Sequence, residues 1–572
     1  MGTDNGRRVG DLADAYWQAY VDAHPVAATS FGDHRHDDRM DDLGRSARDH
    51  ERATLASLLG EARPVASILA GAAAASPEDV VTASALVNQL EEDIAEIDAD
   101  IAPWTVDPLE GPPIAIFNIE SFQGVTTPAE GAAMVARWNA MGPFLNQHGA
   151  SLREALAGGR VAARMPVARV IEAVDGVLAQ PDEAWPLLSP ARAEHPDWSP
   201  NDVATFRDGL RRAVAREVRP ALARLREVLH DEILPAARPD DRPGLLHVAG
   251  GTEAYPQLIR RHTSLHSSPD ELHAIGLAEV ARVNAELASL GERVLGTADR
   301  PEILRRLRGD PALFFRTEDE VAAKASSALA RAQDAMPSWF GVLPRASCVV
   351  VRMGAHEAKH GTIAYYRQPD PDGSRPGQYY VNTTEPRTRP RYEAEALAYH
   401  ESIPGHHLQI AIAQEIPGLP EFRRHLGVTA FWEGWGLYTE RLSDEMGLYT
   451  GDLDRIGMLS LDAWRACRLV VDTGMHAMGW TRARAIDYMT ENTALAPNNI
   501  ANEVDRYIVW PAQALAYKAG QLAMLALRDE VRAELGAAFD IRAFHDALLA
   551  EGALGLGTVR ELVTRRLGLQ PR

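Results

Sequence analysis

The residues best suited to chemistry lie in one short stretch, positions 400–407, which has the sequence HESIPGHH. In the common zinc motif H-E-x-x-H, two histidines at i and i+4 hold the metal from one helical face, and the glutamate beside them is a general base. Here His400 and Glu401 match the motif, but the i+4 position is Pro404, which cannot bind a metal. His406 and His407 follow two and three residues later. The stretch therefore indicates a zinc site whose helix carries an insertion.

The Pro-Gly pair must distort this helix. Pro404 has no N–H to bond the carbonyl of His400, and its ring disfavours helical angles in the residue before it. Gly405 can take backbone angles that are closed to other residues. We therefore expect a kink or a π-type bulge at Pro404-Gly405. Because His407 shares a helical face with His400, it is the preferred second ligand. His406 is the alternative.

A third ligand is expected downstream, because catalytic zinc usually has three protein ligands and an open position. The best candidate is Glu433, in the apolar segment FWEGWGLYTERL at 431–442. An acid facing an apolar interior is costly unless it is paired or bound to a metal, and Trp432 and Trp435 indicate burial here. Glu440 shares the helical face and is either an alternative ligand or a partner that orients a histidine. Two solvated acids on an amphipathic helix are the remaining interpretation.

Such a site would perform hydrolysis. Zinc held by two histidines and a glutamate lowers the pKa of its bound water to about 7 and polarises a carbonyl. Glu401 would take the proton from that water and pass it to the leaving amine. His476 and Tyr507 are candidate catalytic donors to the oxyanion, with a purely structural histidine as the alternative at the first. The sequence therefore predicts cleavage of a peptide or small amide bond.

Further residues are candidates for substrate binding. Arg506 could hold a substrate carboxylate with its guanidinium fork, or it could pair with a neighbouring acid at the surface. Tyr517 could donate to the substrate, although packing explains it more simply. The expected partner is a small peptide or small-molecule substrate.

Short β-type runs precede the motif helix, at 346–352, 361–366 and 378–382. The segment between the last two is dense in proline and glycine and is predicted to be a loop. An extended substrate could pair with an exposed edge strand of this sheet, which makes Tyr380 and Asn382 candidate substrate contacts. The alternative is a sheet that only packs against helices.

A second, regular H-E-x-x-H occurs at His356 and His360. The run is bounded by glycines and lies between β-type runs, which leaves under two helical turns and no supporting helix. The site around His400 is therefore favoured, and the second pair could still line the cleft. His34 and His36 lie in a polar segment and are interpreted as a solvated turn.

The rest of the chain is mostly helical. The pattern predicts helices that include Ser46–Ala62, Pro77–Asp98, Pro128–Ala157 and Pro200–Ala236, and another from Ser268 to about Leu290. The predicted fold is a large, mostly α-helical protein with a small β-sheet beside the metal-binding helix. Residues 1–240 form an N-terminal helical region that walls the cleft. Residues 241–572 form the catalytic region, with the sheet at 346–383, and both are expected to pack as one unit.

Composition limits the classes of partner. The chain has 572 residues and a net charge of −21, which argues against binding nucleic acid. Its two cysteines, Cys348 and Cys467, make no disulfide framework. No run approaches the roughly 20 apolar residues of a membrane span, and the N-terminus lacks a signal-peptide core. The expected location is the cytoplasm, and the oligomeric state is left open.

The motif and several other segments resemble the bacterial "domain of unknown function 885" family, whose signature is H-E-x-x-P-G-H-H. The matching segments are 251–255, 262–263, 373–377, 380–382, 433–435, 472–476 and 506–517. The resemblance implies membership of the zinc-metallopeptidase superfamily, in its gluzincin-like branch, with zinc as cofactor. It also supports Glu433 as ligand, the edge strand as a substrate guide and His476 as a functional residue.

Two other functions use the same residues. A zinc-dependent lyase, or another non-hydrolytic enzyme, would keep the metal site and use Glu401 to abstract a carbon-bound proton. A metal-free domain used for binding is less favoured, because the candidate ligands are all present. The same ligands would also accept iron, cobalt or manganese.

Overall fold

The structure is a computed structural model that describes residues 2–72, 75–354, 362–370, 373 and 375–569, with the side chains of residues 2–4 excepted. Helices dominate it, and one small sheet lies within 348–381. The predicted fold class, mostly α with a small sheet, is confirmed. Among the described residues, none of the helices has the length and apolar character needed to cross a membrane.

The chain divides into two compact units. The first comprises Met1–Tyr255, Met475–Ala483 and Ile508–Trp510. The second comprises Pro256–Gly474, Arg484–Tyr507 and Pro511–Arg572. The division therefore falls C-terminal to the boundary predicted at residue 240.

The helices of the N-terminal part follow one another with short connections. Their bounds are Gly2–Ala23, Pro25–Ser30, Arg45–Gly71, Pro77–Ala99, Pro112–Ala115, Pro128–Ala157, Arg164–Leu178, Ser189–Arg192, Pro200–Ala213, Arg219–Glu227, Leu234–Ala236 and Gly251–Thr263. Two π-helical segments, Val214–Val218 and Val228–Ile233, join three of these into the continuous run predicted for Pro200–Ala236. Trp138 and Trp185 are fully buried in the core of this unit.

The C-terminal part is also helical. Its helices are Pro269–Leu295, Arg300–Gly309, Glu318–Ala335, Ala394–Glu401, His406–Gln414, Glu421–His425, Thr429–Glu445, Asp452–Ala477, Arg482–Asn492, Pro497–Val509, Leu515–Leu535, Ile541–Leu549 and Leu556–Arg566. Local sequence sets several of the starts. At Ser268, for example, the side chain accepts from the N–H of Glu271 while the Glu271 carboxylate accepts from the N–H of Ser268, with proline between them. This capping box satisfies two N–H groups that the helix leaves free.

The sheet lies in the second unit and has three strands, β1 (Cys348–Arg352), β2 (Ala364–Arg367) and β3 (Gly377–Val381). The order is β1-β3-β2, with β1 parallel to β3 and β2 antiparallel to it. Among the described residues, strand β2 is thus an edge strand that pairs with β3 on one side. The strands overlap the three runs that the sequence predicted, 346–352, 361–366 and 378–382.

Candidate metal centre and cavity

The sequence predicted one kinked helix for the motif, but the structure has two separate helices. The first motif helix, Ala394–Glu401, ends where Ser402 leaves helical angles at φ −109° and ψ −109°. The second motif helix begins at His406. One bond of the expected π type remains between them, since the N–H of His407 donates to the carbonyl of Ser402, five residues back, at 3.0 Å. The predicted kink is therefore corrected to a full break.

Two features hold the chain in this break. A Cβ atom at Gly405 would lie 1.9 Å from the carbonyl oxygen of His400, so only glycine fits there. The indole N–H of Trp435 donates to the carbonyls of Pro404 at 2.9 Å and Gly405 at 3.2 Å. A buried tryptophan on another helix thus satisfies the carbonyls that the break leaves without a helical partner.

The break brings His400, His406 and Glu433 together. Ligand atoms of the three lie within 4.8 Å of one another. Glu433 Oε2 is 3.5 Å from His400 Nε2 and 3.6 Å from His406 Nε2. Glu433 lies on the glutamate helix, Thr429–Glu445. The predicted pairing of His400 with Glu433 is thus present in space.

The preferred second ligand, His407, is not part of this cluster. Its Nδ1 lies 2.9 Å from the hydroxyl of Tyr366, and its Nε2 lies 3.0 Å from the carbonyl of Ala346. The side chain is buried beside the sheet, and burial lowers the pKa of His407 to about 4. The preference for His407 over His406 is corrected for a physical reason. The prediction assumed a continuous helix, on which His400 and His407 share a face. The break ends that helix, and His406 lies near Glu433 instead.

Glu440 supports the cluster from behind. Its Oε1 accepts a hydrogen bond at 2.8 Å from Nδ1 of His400, the nitrogen that does not face Glu433. A histidine that binds a metal usually donates its other N–H to a carboxylate in this way, which fixes its tautomer and its orientation. Of the two roles predicted for Glu440, the geometry favours the orienting one. Gly436 lets the helix approach, because a Cβ there would lie 2.7 Å from Cε1 of His400.

The cluster is strongly coupled electrostatically. Burial opposes charge on His400, but its hydrogen bonds to Glu433 and Glu440 outweigh that and raise the pKa of His400 to about 9. Burial likewise opposes charge on Glu433, yet its bonds to the two histidines hold the pKa of that carboxyl well below its usual value. A cation is therefore favoured at this point, whether it is a proton or a metal ion.

The arrangement fits zinc. Ligands about 2.0–2.1 Å from a tetrahedral ion lie roughly 3.4 Å from one another. The two distances from Glu433 to the histidines, 3.5 and 3.6 Å, are close to that spacing. Two imidazoles and one carboxylate are also a donor set typical of catalytic zinc.

The cluster lies in the wall of a cavity of about 490 Å³ in the second unit. That volume is typical of a small-molecule site. The charged residues that line it are Arg389, Glu393, His400, Glu401, His406, Glu433, Arg465, Arg468, Glu503 and Arg506. Residues 362–366, which include most of β2, also line the cavity. The predicted pairing of a substrate with this edge strand stays a prediction.

Glu401 faces the cavity beside the candidate ligands. It makes no hydrogen bond to any residue that the structure describes. Its carboxylate is adjacent in sequence to His400, as the motif requires. The position is therefore open to a water molecule or a substrate.

The predicted strand contacts differ in placement. Asn382 lines the cavity, but its side chain is engaged, since its amide donates to the carbonyl of Thr362 and its oxygen accepts from the hydroxyl of Thr384. Tyr380 is not among the lining residues and stacks on Tyr365 at 4.8 Å. Tyr379, one position earlier, faces the cavity instead. The predicted contact at Tyr380 is therefore corrected to its neighbour, because successive side chains of a strand point to opposite faces.

The predicted site residues Arg506, Tyr507 and Tyr517 differ in their position relative to the cavity. Arg506 and Tyr517 line the cavity, as expected of substrate-binding residues. Tyr507 lies behind the lining, where its hydroxyl donates to Glu503 at 2.7 Å and accepts from the Nε–H of Arg468 at 2.9 Å. Its proton is thus committed to a protein partner. The structure thus places Tyr507 behind the cavity wall, bonded to Arg468, and its role as a catalytic donor stays a prediction.

His476 belongs to the first unit and is not among the residues that line the cavity. Its Nδ1 accepts the backbone N–H of Leu245 at 3.2 Å, and its ring lies 5.3 Å from that of Tyr255. These contacts favour the structural alternative that the sequence left open. The second motif, at His356 and His360, lies outside the described residues.

Several charged cavity residues were missed from the sequence, among them Glu393, Arg465 and Arg468. Burial raises the pKa of Glu393 to about 7, although Ser460 donates to it at 2.7 Å. The two arginines belong to the helix Asp452–Ala477, called here the arginine helix. The sequence carried one signal of these arginines. They lie in the apolar run LSLDAWRACRLVV at 459–471, where a buried charged side chain needs a partner.

Fold and site together define a large helical protein with a candidate metal centre in the wall of a cavity. The chain belongs to the family described as bacterial protein of unknown function (DUF885), whose model matches residues 25–563. The family predicted from the signature is thus confirmed. The zinc-metallopeptidase superfamily stays a prediction.

Two solved structures are similar over their whole length. A candidate lipoprotein from Colwellia psychrerythraea has a TM-score of 0.90 at 25% identity, with 99% of each chain covered. A candidate lipoprotein of unknown function from Shewanella oneidensis has a TM-score of 0.72 at 17% identity, with 97% of this chain and 99% of that chain covered. The second likeness shows the fold alone. Among curated proteins, none matches. The cytoplasmic location stays a prediction.

Proposed function

We propose that this protein is a zinc-dependent hydrolase that cleaves a peptide or small amide bond in the cavity of its second unit. The observation that carries the proposal is the convergence of His400, His406 and Glu433 beside Glu401, whose carboxylate bonds none of the described residues. Nucleic acid and membrane are not expected as partners, and the oligomeric state is left open.

The three ligands and their support have separate tasks. His400, His406 and Glu433 would hold the ion, and Glu440 keeps His400 in the tautomer that presents Nε2. When bound, zinc supplies Lewis acidity that activates a water molecule and polarises a carbonyl group. The cavity wall beside these residues includes Trp432, which precedes Glu433 in the sequence.

Glu401 would move the proton. Its carboxylate takes a proton from the attacking water and then gives it to the leaving nitrogen, so one group serves as base and acid in turn. No described residue competes for that carboxylate by a hydrogen bond. The tetrahedral oxyanion needs donors, and Tyr517 and Arg506 are the predicted substrate-binding residues that reach the cavity.

The test is an assay of the zinc-loaded protein against a panel of short peptides, with released amine measured beside any unsaturated product. Hydrolysis releases amine and carboxylate, whereas a zinc-dependent lyase, the alternative, releases an unsaturated product. Substitution Glu401→Gln should lower kcat by about 10²- to 10⁴-fold while the metal content is unchanged. The matched control is Glu415→Gln, at the end of the second motif helix, whose carboxylate bonds Arg345. Full activity in Glu401→Gln would contradict the assignment.

A further inference from the structure

Two buried arginines face the cavity one helical turn apart. Arg465 and Arg468 lie on the arginine helix, and only 4% and 2% of their surfaces are exposed. Residues at i and i+3 share a helical face, so both guanidinium groups lie on the side that lines the cavity. Neither was part of the predicted site.

Arg465 is almost without hydrogen-bond partners. Its one bond within the described residues is a long contact of 3.5 Å from a terminal nitrogen to the carbonyl of Leu461. Its Nε–H is buried and bonds nothing. The guanidinium lies 4.1 Å from the ring of Trp464, which holds it flat but satisfies no N–H group. A buried donor left without an acceptor is costly, so a ligand is expected to supply one.

Arg468 is held firmly but incompletely. Its Nε–H donates to the hydroxyl of Tyr507, and one terminal nitrogen donates to Glu503 at 2.9 Å. The other terminal nitrogen is buried without a partner. The rings of Trp464 and Tyr517 lie 4.5 and 4.2 Å from the guanidinium carbon. The group is therefore positioned before any ligand arrives.

One acid bridges two of the arginines at this end of the cavity. Glu503 is the acid in contact, and it is shared between Arg468 at 2.9 Å and Arg506 at 3.7 Å. Glu393 also lines the cavity, but it forms no ion pair with Arg465 among the described contacts. Arg465 thus has no ion-pair partner among the described residues, which leaves its charge for an anion.

We propose that Arg465, together with Arg468, binds the carboxylate of the substrate in the same cavity as the candidate metal centre. The inference rests on the proposed function, which supplies the substrate class. Carboxylate binding can nevertheless be measured without turnover. A planar guanidinium with free N–H groups matches a carboxylate with two parallel hydrogen bonds. The substrate class is then a short peptide, or an acylated amino acid, with a free carboxylate.

This anchor limits where cleavage occurs. The cavity of about 490 Å³ holds both the arginines and the candidate ligands, so an anchored carboxylate lies within one small-molecule length of the reacting bond. Cleavage would fall close to the end of the chain that carries the carboxylate. The substrate group that binds the arginines is either a C-terminal α-carboxylate or the carboxylate of an acidic side chain.

The test measures binding in the Glu401→Gln protein, in which turnover is slowed by about 10²- to 10⁴-fold. The probes are tripeptides Ala-Xaa-Ala as free acids, the same peptides as C-terminal amides, and amides that carry one aspartate. Each free acid that binds should bind about 10- to 100-fold more tightly than its amide, and Arg465→Met should abolish this ratio. Tight binding of the aspartyl amides as well would assign the anion to the side chain.

A matched control is Arg345→Met, which removes a positive charge from an exposed side chain outside the cavity. It should leave the ratio of acid to amide unchanged. Equal binding of acids and amides, or no binding of any acid at millimolar concentration, would overturn the inference. A preference for acids without cleavage by the unaltered protein would instead overturn the proposed function alone.

Discussion

Two buried arginines, one in each unit, are used in opposite ways. Arg137 of the first unit is fully buried, and each of its three nitrogens bonds a protein acceptor. Arg465 of the second unit is 4% exposed, and it has one long contact. Both lie on helices. They differ in whether the protein itself supplies the acceptors.

This difference separates structure from function. The acceptors of Arg137 include the carbonyls of Arg39 and His36, so its side chain ties loop backbone to a helix. Arg465 ties nothing down, and its donors line a cavity. Burial alone therefore does not identify a functional arginine, whereas unsatisfied donors at a cavity wall do.

The largest expected effect is at Arg137. The substitution Arg137→Met removes the donor of several buried carbonyls and leaves Asp37 buried beside it. We expect the free energy of unfolding to fall by roughly 3–5 kcal/mol. Urea denaturation followed by circular dichroism measures it. A loss under 1 kcal/mol would break the comparison, since Arg137 would then not be structural.

Two buried histidines, His148 in the first unit and His545 in the second, should respond alike to pH, because burial is the main cause of the pKa shift in both. Burial lowers the pKa of His148 in the first unit and of His545 in the second to about 4, from an unfolded value of 6.5. The unfolded chain then takes up these protons first as the pH falls. Above pH 6.5 these histidines do not reduce the free energy of unfolding. As the pH falls towards 4, the free energy of unfolding decreases by about 3 kcal/mol for each histidine.

Denaturation midpoints of the protein and of His148→Met between pH 7.5 and pH 5 test this. The variant should lose less stability over that range than the unaltered protein. An identical pH dependence would show that His148 is protonated in the folded state without cost.

A smaller effect is expected at Gly436, where the glutamate helix touches the metal site. A Cβ there would lie 2.7 Å from His400, so Gly436→Ala must move the imidazole. We expect zinc affinity to fall by about 10- to 100-fold, measured by competition with a chelator. The control is Gly60→Ala, where a Cβ meets nothing within 4 Å. Equal affinities for both variants would contradict this role of Gly436.

The smallest expected effect is on stability at Arg465. Arg465→Met replaces an unpaired buried charge with an apolar side chain that can still pack on Trp464. We expect the free energy of unfolding to change by less than about 1 kcal/mol, or to rise. Denaturation under the conditions used for Arg137→Met gives the direct contrast. A loss as large as that of Arg137→Met would mean that Arg465 is structural too.

Much of the fold could be predicted because its signals are local. Helix starts such as Ser268-Pro269 carry their own capping residues, and the three β-type runs are short and bounded by turn residues. His400, Glu401 and Glu433 could be placed because residue type and motif spacing restrict their chemistry. These residues needed no knowledge of distant contacts.

The second candidate ligand could not be predicted in the same way. Which of two adjacent histidines faces Glu433 depends on the backbone angles of Ser402 and on the bonds that Trp435 makes to the break. Those contacts join residues some thirty positions apart, as in the bond from Trp435 to Pro404. A pattern that assumes a continuous helix therefore chooses the wrong neighbour.

The arginines show a similar limit. Asp462, on the same helix, is buried like Arg465, but Lys518 and Arg441 pair with it at 2.6 and 2.5 Å. The sequence marks both charges as needing partners and does not say which partner belongs to the protein. Only the packed structure separates the paired acid from the unpaired arginine.

The most direct test of the metal centre is the zinc content of two neighbouring variants, His406→Gln and His407→Gln, after loading and removal of free metal. We expect the unaltered protein and His407→Gln to retain zinc in equal, stoichiometric amounts, and His406→Gln to lose it. Retention by His406→Gln together with loss by His407→Gln, or an unaltered protein that binds no zinc, would contradict the site described above.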